Sequence, residues 1–375
     1  MSKAVSTSTA VKSFEEASRV LEILAELTVS SRHLQTLSLE IGGELVEEQE
    51  ERTKAYRELP LNTPPTPANS PIPLAVVMAD GGRMQTRKPD RGPGVHEAAW
   101  RETKTAILLR MSHHPSTIDP HPELPFCFTQ PLGTICEKLT TPEPDCLEFP
   151  QKKGEILYRT GLASLENSEE FGWKMAAAAN SRGFFTAKAR AYVGDGQAYN
   201  WTIQRIHFAS FVPILDFVHA AEHIHKAAKA LGEEGERWVT LCWQGQVASV
   251  LDEIRERLNL LSRPPDPDQE PEHAWSVLDR EIGYLQNNQD RMDYPRYRRE
   301  GLPVTSSPIE SWVKQLNQRV KGSEKFWNDD ANGEAILHLR TAWLGDDEAL
   351  EKHLANRPGQ MYGRPSNRVQ ASKSA

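Results

Sequence analysis

Three apolar segments in the middle of the chain are each followed, at once or within two residues, by an aspartate. They are residues 74–79 before Asp80, residues 189–193 before Asp195 and residues 211–215 before Asp216. Short apolar runs bounded by turn residues predict buried strands. Helical patterns follow the second and third runs, and a strand-helix-strand-helix order predicts parallel strands covered by helices. The chain is therefore predicted to be an α/β protein.

The region after Asp80 predicts antiparallel pairing beside those parallel strands. A second short strand is expected near residues 83–87 and a third over residues 103–111, so the sheet should be mixed. Two glycines follow Asp80 and one follows Asp195. An aspartate before glycine is a common turn pair, so each such site alone is more often only a turn.

The three aspartates point to one site if their strands are neighbours. Ligands gather at the carboxyl ends of parallel strands. Clustered carboxylates repel one another unless they are protonated or bridged by a cation, and hard oxygen ligands favour Mg²⁺ or Mn²⁺. Two such ions can hold the attacking and leaving oxygens of a phosphodiester displacement. The glycines would leave space for a phosphate backbone to approach.

A fourth acid lies on a predicted helix within residues 301–322. Ser307, Pro308 and Glu310 match a capping box with proline at the first helical position, which explains Glu310 structurally. Glu310 could join the acid cluster only if it pointed into the cleft. The same helix carries a polar, basic face that could follow a phosphate backbone or simply be solvated. Its members are Lys314, Gln315, Arg319 and Lys321.

The N-terminal part predicts two helices, residues 14–27 and a second one that begins after an N-cap at Ser30. Ala17, Val20, Leu21, Leu24 and Leu27 should face inward from the first helix, and Leu34, Leu37, Ile41 and Leu45 from the second. A helix-turn-helix would present Arg32, His33, Gln35 and Thr36 to DNA. A plain helical hairpin explains the pattern equally well, and the acidic residues 47–52 would repel phosphate.

Composition divides the chain further. Residues 59–73 form a proline-rich linker between a helical region, 1–58, and a core that begins at residue 74. The core would run to residue 231 and continue after a helical segment, 232–300, in a final helical pair within residues 301–345. Residues 346–375 form a tail whose C-terminal part is expected to be disordered.

Bulk properties exclude several classes of protein. The 375 residues contain no apolar run long enough for a membrane span and no signal-peptide core, so a cytoplasmic protein is expected. The four cysteines do not suggest a disulfide framework, and Cys127, Cys136 and Cys146 are too loosely spaced for a zinc signature. The net charge of −8 argues mildly against nucleic acid, but residues 171–230 hold seven basic against three acidic residues.

The order "VVMADGGRMQTR", "AYVGDGQAYNW", "ILDFVHAAEHIHKAA" and "GLPVTSSPIESWVKQLNQRVKGSEKFW" resembles bacterial insertion-sequence DDE transposases. The resemblance is to the ISKra-type families, which are relatives of the Mutator-like group, and covers roughly residues 14–345. It implies an RNase H-like core with an all-helical insertion between the second aspartate and the glutamate. The segment before residue 14 is shorter than is usual in the family, as in an N-terminally truncated copy.

The resemblance also implies the site. Asp80, Asp195 and Glu310 match the catalytic acids and would hold two Mg²⁺ or Mn²⁺ ions. Asp216 and His219 match a D-x-x-H signature beside the cleft. Asp216 remains the alternative to Asp195 as the second acid. The partner would be double-stranded DNA, contacted also by Arg83 and Arg87.

The hypothesis from the sequence is thus a DNA transposase that cleaves insertion-sequence ends and joins them to target DNA. It would act as a homo-oligomer on DNA, in the cytoplasm and associated with the nucleoid. Two alternatives stay open: a metal-dependent nuclease on the same fold, which would cleave without joining, and a non-catalytic DNA-binding protein derived from a transposase.

Overall fold

The computed structural model describes residues 1–87, 99–129, 154–321 and 325–357. For residues 127 and 129 the structure describes the backbone only. The predictions for Cys127, Cys136, Cys146 and the tail beyond residue 357 therefore lie outside the described residues.

A five-stranded mixed sheet forms the centre of the molecule. Its strands are β1 (Leu74–Thr86), β2 (Ala99–Met111), β3 (Ile156–Ser164), β4 (Ala189–Gly194) and β5 (Val212–Leu215). The spatial order is β3-β2-β1-β4-β5. β1, β2 and β3 pair antiparallel, whereas β4 and β5 join β1 on its other side in parallel. The predicted α/β class and mixed sheet are confirmed.

The first strand differs from its prediction. The sequence predicted that a strand ends at Asp80, that a glycine turn follows and that a second strand lies near residues 83–87; instead, β1 runs unbroken from Leu74 to Thr86. β2 pairs with it over the whole length, with Asp80 opposite Thr105 and Gly82 opposite Thr103. A Cβ on Gly82 would lie 2.7 Å from the Thr103 hydroxyl, so the glycine is needed for close packing between strands. The predicted turn is therefore wrong.

The sequence did not predict β3, because its alternation of apolar and polar residues is weak. β3 pairs with β2 and places Gly161 against the ring of Trp312, where a Cβ would lie 2.4 Å from the indole. Trp312 is fully buried. The missed strand therefore packs directly against the helix that carries Glu310.

Helices precede the strands in the chain, lie between them and follow them. The N-terminal helices are α1 (Ser2–Ala10), α2 (Phe14–Ala25) and α3 (Ser31–Arg57). The central ones are α4 (Ser168–Ser181), α5 (Ala198–His207), α6 (Phe217–Ala230), α7 (Glu236–Trp243), α8 (Val247–Leu260), α9 (Ala274–Asn288) and α10 (Tyr294–Arg299). The last are α11 (Ser307–Val320), α12 (Asp330–Leu344) and α13 (Ala349–Asn356). The predicted helices that follow β4 and β5 and the predicted final pair are confirmed.

The second N-terminal helix follows its prediction, and the first does so only in part. Ser30 caps α3 by accepting the His33 N–H at 3.3 Å. The predicted inward residues of α3, Leu34, Leu37, Ile41 and Leu45, are buried. In α2, however, Leu24 is 79% exposed and Leu27 also lies outside the core. The helix ends at Ala25, with Glu26 in a left-handed conformation, so Leu27 leaves the helical face that buries Ala17 and Leu21.

The N-terminal helices pack directly on the C-terminal ones. Leu37 and Ile41 share a hydrophobic cluster with Ile336 and Leu337 of α12. At the crossing point Gly42 meets the Ala335 backbone, where a Cβ would lie 2.3 Å from the carbonyl oxygen. Residues 1–57 therefore share a core with α11 and α12, although the proline-rich segment separates them from β1 in sequence.

Within the described ranges, every helix is too short or too polar to cross a membrane.

Candidate catalytic site

The three aspartates of the sequence analysis meet at one edge of the sheet. The last β1–β4 pair joins Met78 to Val193; Asp80 lies two residues further along β1, and Asp195 directly follows the end of β4 at Gly194. Asp216 directly follows β5, whose last pair joins Leu215 to Gly194. Since the three strands are parallel, their carboxyl ends share this edge. The predicted convergence of the aspartates is what the fold produces.

Glu310 approaches the same edge from α11. The N-cap of this helix is Ser306 rather than the predicted Ser307, and its hydroxyl makes no cap to the helix. The Ser306 hydroxyl instead donates to Asp216 Oδ2 at 2.7 Å, and the Ser306 N–H donates to Asp216 Oδ1 at 3.1 Å. The predicted capping box is therefore wrong. Glu310 is free to point toward the aspartates.

Carboxylates and one imidazole form a close group at this position. Ligand atoms of Asp216, His219 and Glu310 all lie within 4.8 Å of one another. His219 follows Asp216 by one turn of α6, and its Nε2 lies 3.8 Å from Asp216 Oδ2. The D-x-x-H pair and Glu310 thus come together, with Asp80 and Asp195 beside them on the neighbouring strands.

The charges of the acids are poorly compensated. Burial and the charge of Asp195 raise the pKa of Asp80 to about 6, although the Gly81 N–H donates to its carboxylate at 2.7 Å. Burial and the charge of Asp216 also raise the pKa of Glu310. Both shifts arise first from burial of the carboxylates and then from repulsion by the negative charges beside them. A cation at this edge would relieve that repulsion.

His219 is the positive group within the cluster. Burial alone would lower its pKa, but the bond with Glu222 and the charges of Asp216 and Asp195 raise the pKa to about 9. The same bond holds the pKa of Glu222 at about 2. At neutral pH an imidazolium therefore offsets part of the negative charge, leaving Asp80 and Glu310 with raised pKa values.

Asp195 and Asp216 have different surroundings. Asp216 is fully buried, caps α6 through the Val218 N–H and accepts both bonds from Ser306. Asp195 is partly exposed, and its Oδ1 accepts the Asn200 side chain at 2.8 Å and the Gln197 N–H at 3.1 Å. Asp216 is thus bound into the frame of the site, while Asp195 faces the cleft from the turn after β4.

The turn that carries Asp195 is held by a residue far away in sequence. The Tyr284 hydroxyl of α9 donates to the Asp195 carbonyl oxygen at 2.7 Å. Gly196 has φ +90°, and a Cβ there would lie 2.4 Å from the same hydroxyl. The Tyr284 ring stacks on His223, whose Nδ1 bonds to buried Glu281. Sequence reasoning found the Asp-Gly pair but had no local signal for Tyr284.

The donor set fits a hard divalent cation. Asp80, Asp195 and Glu310 offer carboxylate oxygens at one edge, which is the ligand type that hard divalent cations prefer. His223 does not join these acids, because its Nδ1 bonds to buried Glu281.

Most of the predicted DNA contacts are exposed. Arg32, His33 and Thr36 are exposed on α3, with Gln35 partly buried, and Arg83, Arg87, Lys314 and Lys321 are exposed near the sheet and α11. Arg319 is the exception. Its guanidinium is buried, donates to the Ser8 carbonyl oxygen at 2.9 Å and lies 4.1 Å from the Phe14 ring centroid. The N-terminal helices cover this side of α11, so Arg319 does not belong to the exposed basic face predicted from sequence.

No protein-family model matches the chain, and a search of curated proteins finds no match either. The functional argument therefore depends on the geometry of the site.

Proposed function

We propose that this protein is a DDE-type DNA transposase, which cleaves DNA at the ends of an insertion sequence and transfers the strand to target DNA. The observation that carries the proposal is the convergence of Asp80, Asp195 and Glu310 from three separate elements at the carboxyl edge of the sheet. The uncompensated charge at this edge supports a role in binding cations.

The finer fold assignment is part of the same proposal. An RNase H-like core agrees with a mixed sheet whose first three strands are antiparallel and whose β1, β4 and β5 are parallel. An all-helical insertion agrees with helices α7 to α10, which lie between β5 and Glu310. The core of the site would then be assembled from segments on both sides of the insertion.

The proposed roles of the residues follow from their surroundings. Asp80, Asp195 and Glu310 would hold two Mg²⁺ or Mn²⁺ ions, which when bound supply Lewis-acid stabilisation of the attacking and leaving oxygens. Asp216 orients His219 and fixes the start of α11 through Ser306. The His219 imidazolium would limit the repulsion among the acids before DNA enters.

The proposed partner is double-stranded DNA, both element ends and target. Exposed Arg83, Arg87, Lys314 and Lys321 offer cations on or directly after β1 and α11, despite the net charge of −8. Affinity should fall steeply with added salt if phosphate contacts dominate. A homo-oligomer that holds two DNA ends and a cytoplasmic, nucleoid-associated location belong to the same proposal.

The direct test is strand transfer by the purified protein. The substrate would be a labelled oligonucleotide of the DNA that flanks the reading frame, mixed with plasmid target and Mg²⁺. We expect cleaved and joined products with the native chain, and neither product with Asp80→Ala or with EDTA. Cleavage without joining would favour the nuclease alternative. DNA binding that is unaffected by EDTA, with no cleavage, would favour the non-catalytic one.

The second acid can be tested in the same assay by comparing two substitutions. Asp195→Asn should abolish both reactions while leaving the folded protein about as stable as before. Asp216→Asn should lower the stability, because it weakens a buried cap and the bonds from Ser306. Residual activity in Asp195→Asn, with none in a folded Asp216→Asn protein, would reverse the assignment.

A further inference from the structure

Two half-exposed aromatic rings flank the far end of β1, away from the acid cluster. Trp100 is 49% exposed and Phe326 is 48% exposed. Each ring has a cation beside it. The Arg87 guanidinium lies 4.3 Å from the Phe326 ring centroid, and the Lys321 ammonium lies 6.0 Å from that of Trp100.

The backbone places these rings on opposite sides of the same strand. Trp100 of β2 pairs with Gln85 of β1. On the other side, the Trp327 N–H donates to the Gln85 carbonyl oxygen, and the Arg87 N–H donates to the Trp327 carbonyl oxygen, both at 2.9 Å. The rings are therefore attached to hydrogen-bonded backbone rather than to an isolated loop tip.

The exposure of Phe326 is not explained by packing. Its neighbour Trp327 is buried in the hydrophobic cluster that the N-terminal helices share with α11 and α12. The Trp327 indole N–H donates to the Val320 carbonyl oxygen. The Phe326 side chain lies on the opposite side of the backbone from that of Trp327, and its ring contacts Arg87. An exposed aromatic ring with an adjacent cation is the combination that unpaired nucleic acid requires, because bases stack on the ring and phosphates bind the cation.

Among the described residues, the acids near the two rings do not cancel this positive charge. Glu102 pairs with Lys104 at 3.2 Å, and Asp330 pairs with Arg101 at 3.0 Å. Arg83 is a further exposed cation on β1, two residues before Gln85. Within the part of this surface that the structure describes, Arg83, Arg87 and Lys321 form no ion pair and can bind an anionic partner.

We infer that Trp100 and Phe326 form a stacking platform for unpaired bases of the DNA substrate, with Arg87 and Lys321 on the adjoining phosphates. The inference rests on the proposed function for the identity of the substrate. Gln85 lies five residues beyond Asp80 on β1. At a rise of ~3.4 Å per residue the platform is ~17 Å from the acids. In duplex DNA each strand advances ~3.4 Å along the helix axis per phosphate, so the unpaired bases would begin about five nucleotides from the cleaved phosphate.

The test compares two DNA probes with the full-length protein and Ca²⁺ in place of Mg²⁺, by fluorescence anisotropy. One probe is a blunt duplex, and the other, the forked probe, is the same duplex with about five unpaired nucleotides at one end. We expect the native chain to bind the forked probe about tenfold more tightly, since stacking of one base on an aromatic ring contributes that much or more. Trp100→Ala and Phe326→Ala should each lose most of this preference and keep the affinity for blunt DNA.

Matched controls separate stacking from general effects. Trp100→Phe keeps an aromatic ring and should retain most of the preference. Trp275→Ala removes another indole that lies beside an arginine, with Arg263 5.0 Å from its centroid, and should change neither affinity. Arg87→Gln should weaken the binding of both probes.

The inference is overturned if the native chain binds the two probes equally, or if both alanine variants keep the preference. A preference for the forked probe without strand transfer would contradict the proposed function alone. Strand transfer without that preference would contradict the platform alone.

Discussion

At the residue scale, Asp80 shows how the candidate site lowers the stability of the fold. The half-buried carboxylate directly follows the buried stretch of β1 and lies beside Asp195, and both burial and that charge raise its pKa to about 6. The strand does not require a charge at this position, because a neutral amide oxygen could also accept the Gly81 N–H that bonds to the carboxylate. A carboxylate kept where it is destabilised is typical of a functional position.

Substitution Asp80→Asn should therefore stabilise the cation-free protein above pH 6. The folded-state pKa is higher than the ordinary 3.8, so the ionised carboxylate destabilises the fold above pH 6, and this effect disappears as the pH falls toward 3.8. The gain at pH 7.5 is at most about 3 kcal/mol. Urea unfolding in EDTA between pH 4 and 8 measures it.

The exposed substitution Asp268→Asn is the control and should change stability little at any of these pH values. Mn²⁺ should stabilise the native chain and not Asp80→Asn, so the difference between their free energies of unfolding should narrow or reverse. A difference between the two proteins that does not vary with pH would contradict the electrostatic account.

At the element scale, the turn between β4 and α5 is held by α9. Tyr284 reaches the Asp195 carbonyl oxygen, and Asn288, one turn later, accepts the Trp201 indole N–H of α5 at 2.8 Å. The Asn288 amide in turn donates to the Tyr284 carbonyl oxygen at 2.9 Å. The helical segment after β5 thus positions the turn that carries one of the proposed catalytic acids.

Tyr284→Phe should lower the rate of strand transfer and raise the Mg²⁺ concentration needed for half-maximal rate, because the Asp195 backbone loses its anchor. The ring still stacks on His223, so the loss of stability should be only about 1 kcal/mol. Tyr297→Phe is a matched control, since the Tyr297 hydroxyl donates to the Pro213 carbonyl oxygen at 3.3 Å. Equal Mg²⁺ dependence in both variants would show that Tyr284 acts only in folding.

Elements with strong local patterns could be predicted from sequence, and those that depend on distant partners could not. The apolar runs of β4 and β5 predicted both strands, and the runs set Asp195 and Asp216 at their ends. The unbroken β1 depends on its pairing with β2, which outweighs the local turn preference of Asp80 and its glycines. Likewise, Ser306 replaces Ser307 at the start of α11 because buried Asp216, 90 residues earlier, binds it.

At the scale of the whole molecule, the sequence suggested a boundary between the N-terminal helices and the rest of the chain. In the structure, these helices pack on α11 and α12. The proline-rich residues 59–73 predicted a boundary, but α3 crosses α12 with Gly42 against the Ala335 carbonyl oxygen. No local pattern in either helix predicts that crossing, since its partners are almost 300 residues apart. The candidate site was more predictable than this contact, because its acids follow strand ends.

Gly42→Ala should destabilise the protein by about 1–3 kcal/mol, because the added methyl group overlaps the Ala335 backbone and pushes the helices apart. The neighbouring Gly43→Ala is the control. A Cβ there meets nothing within 4 Å, so better helix propensity should stabilise the protein by about 1 kcal/mol. Chemical denaturation of both variants measures the difference, and equal effects would mean that the two helices are not in close contact.

The close crossing of α3 and α12 also limits how this protein can be recombined with others. Residues 30–57 cannot be exchanged for the corresponding segment of another protein unless the new helix also brings a glycine opposite Ala335. A chimera that exchanges only the N-terminal 58 residues would disturb the packing against α11, the helix that carries Glu310. Successful chimeras should therefore exchange α3 and α12 together.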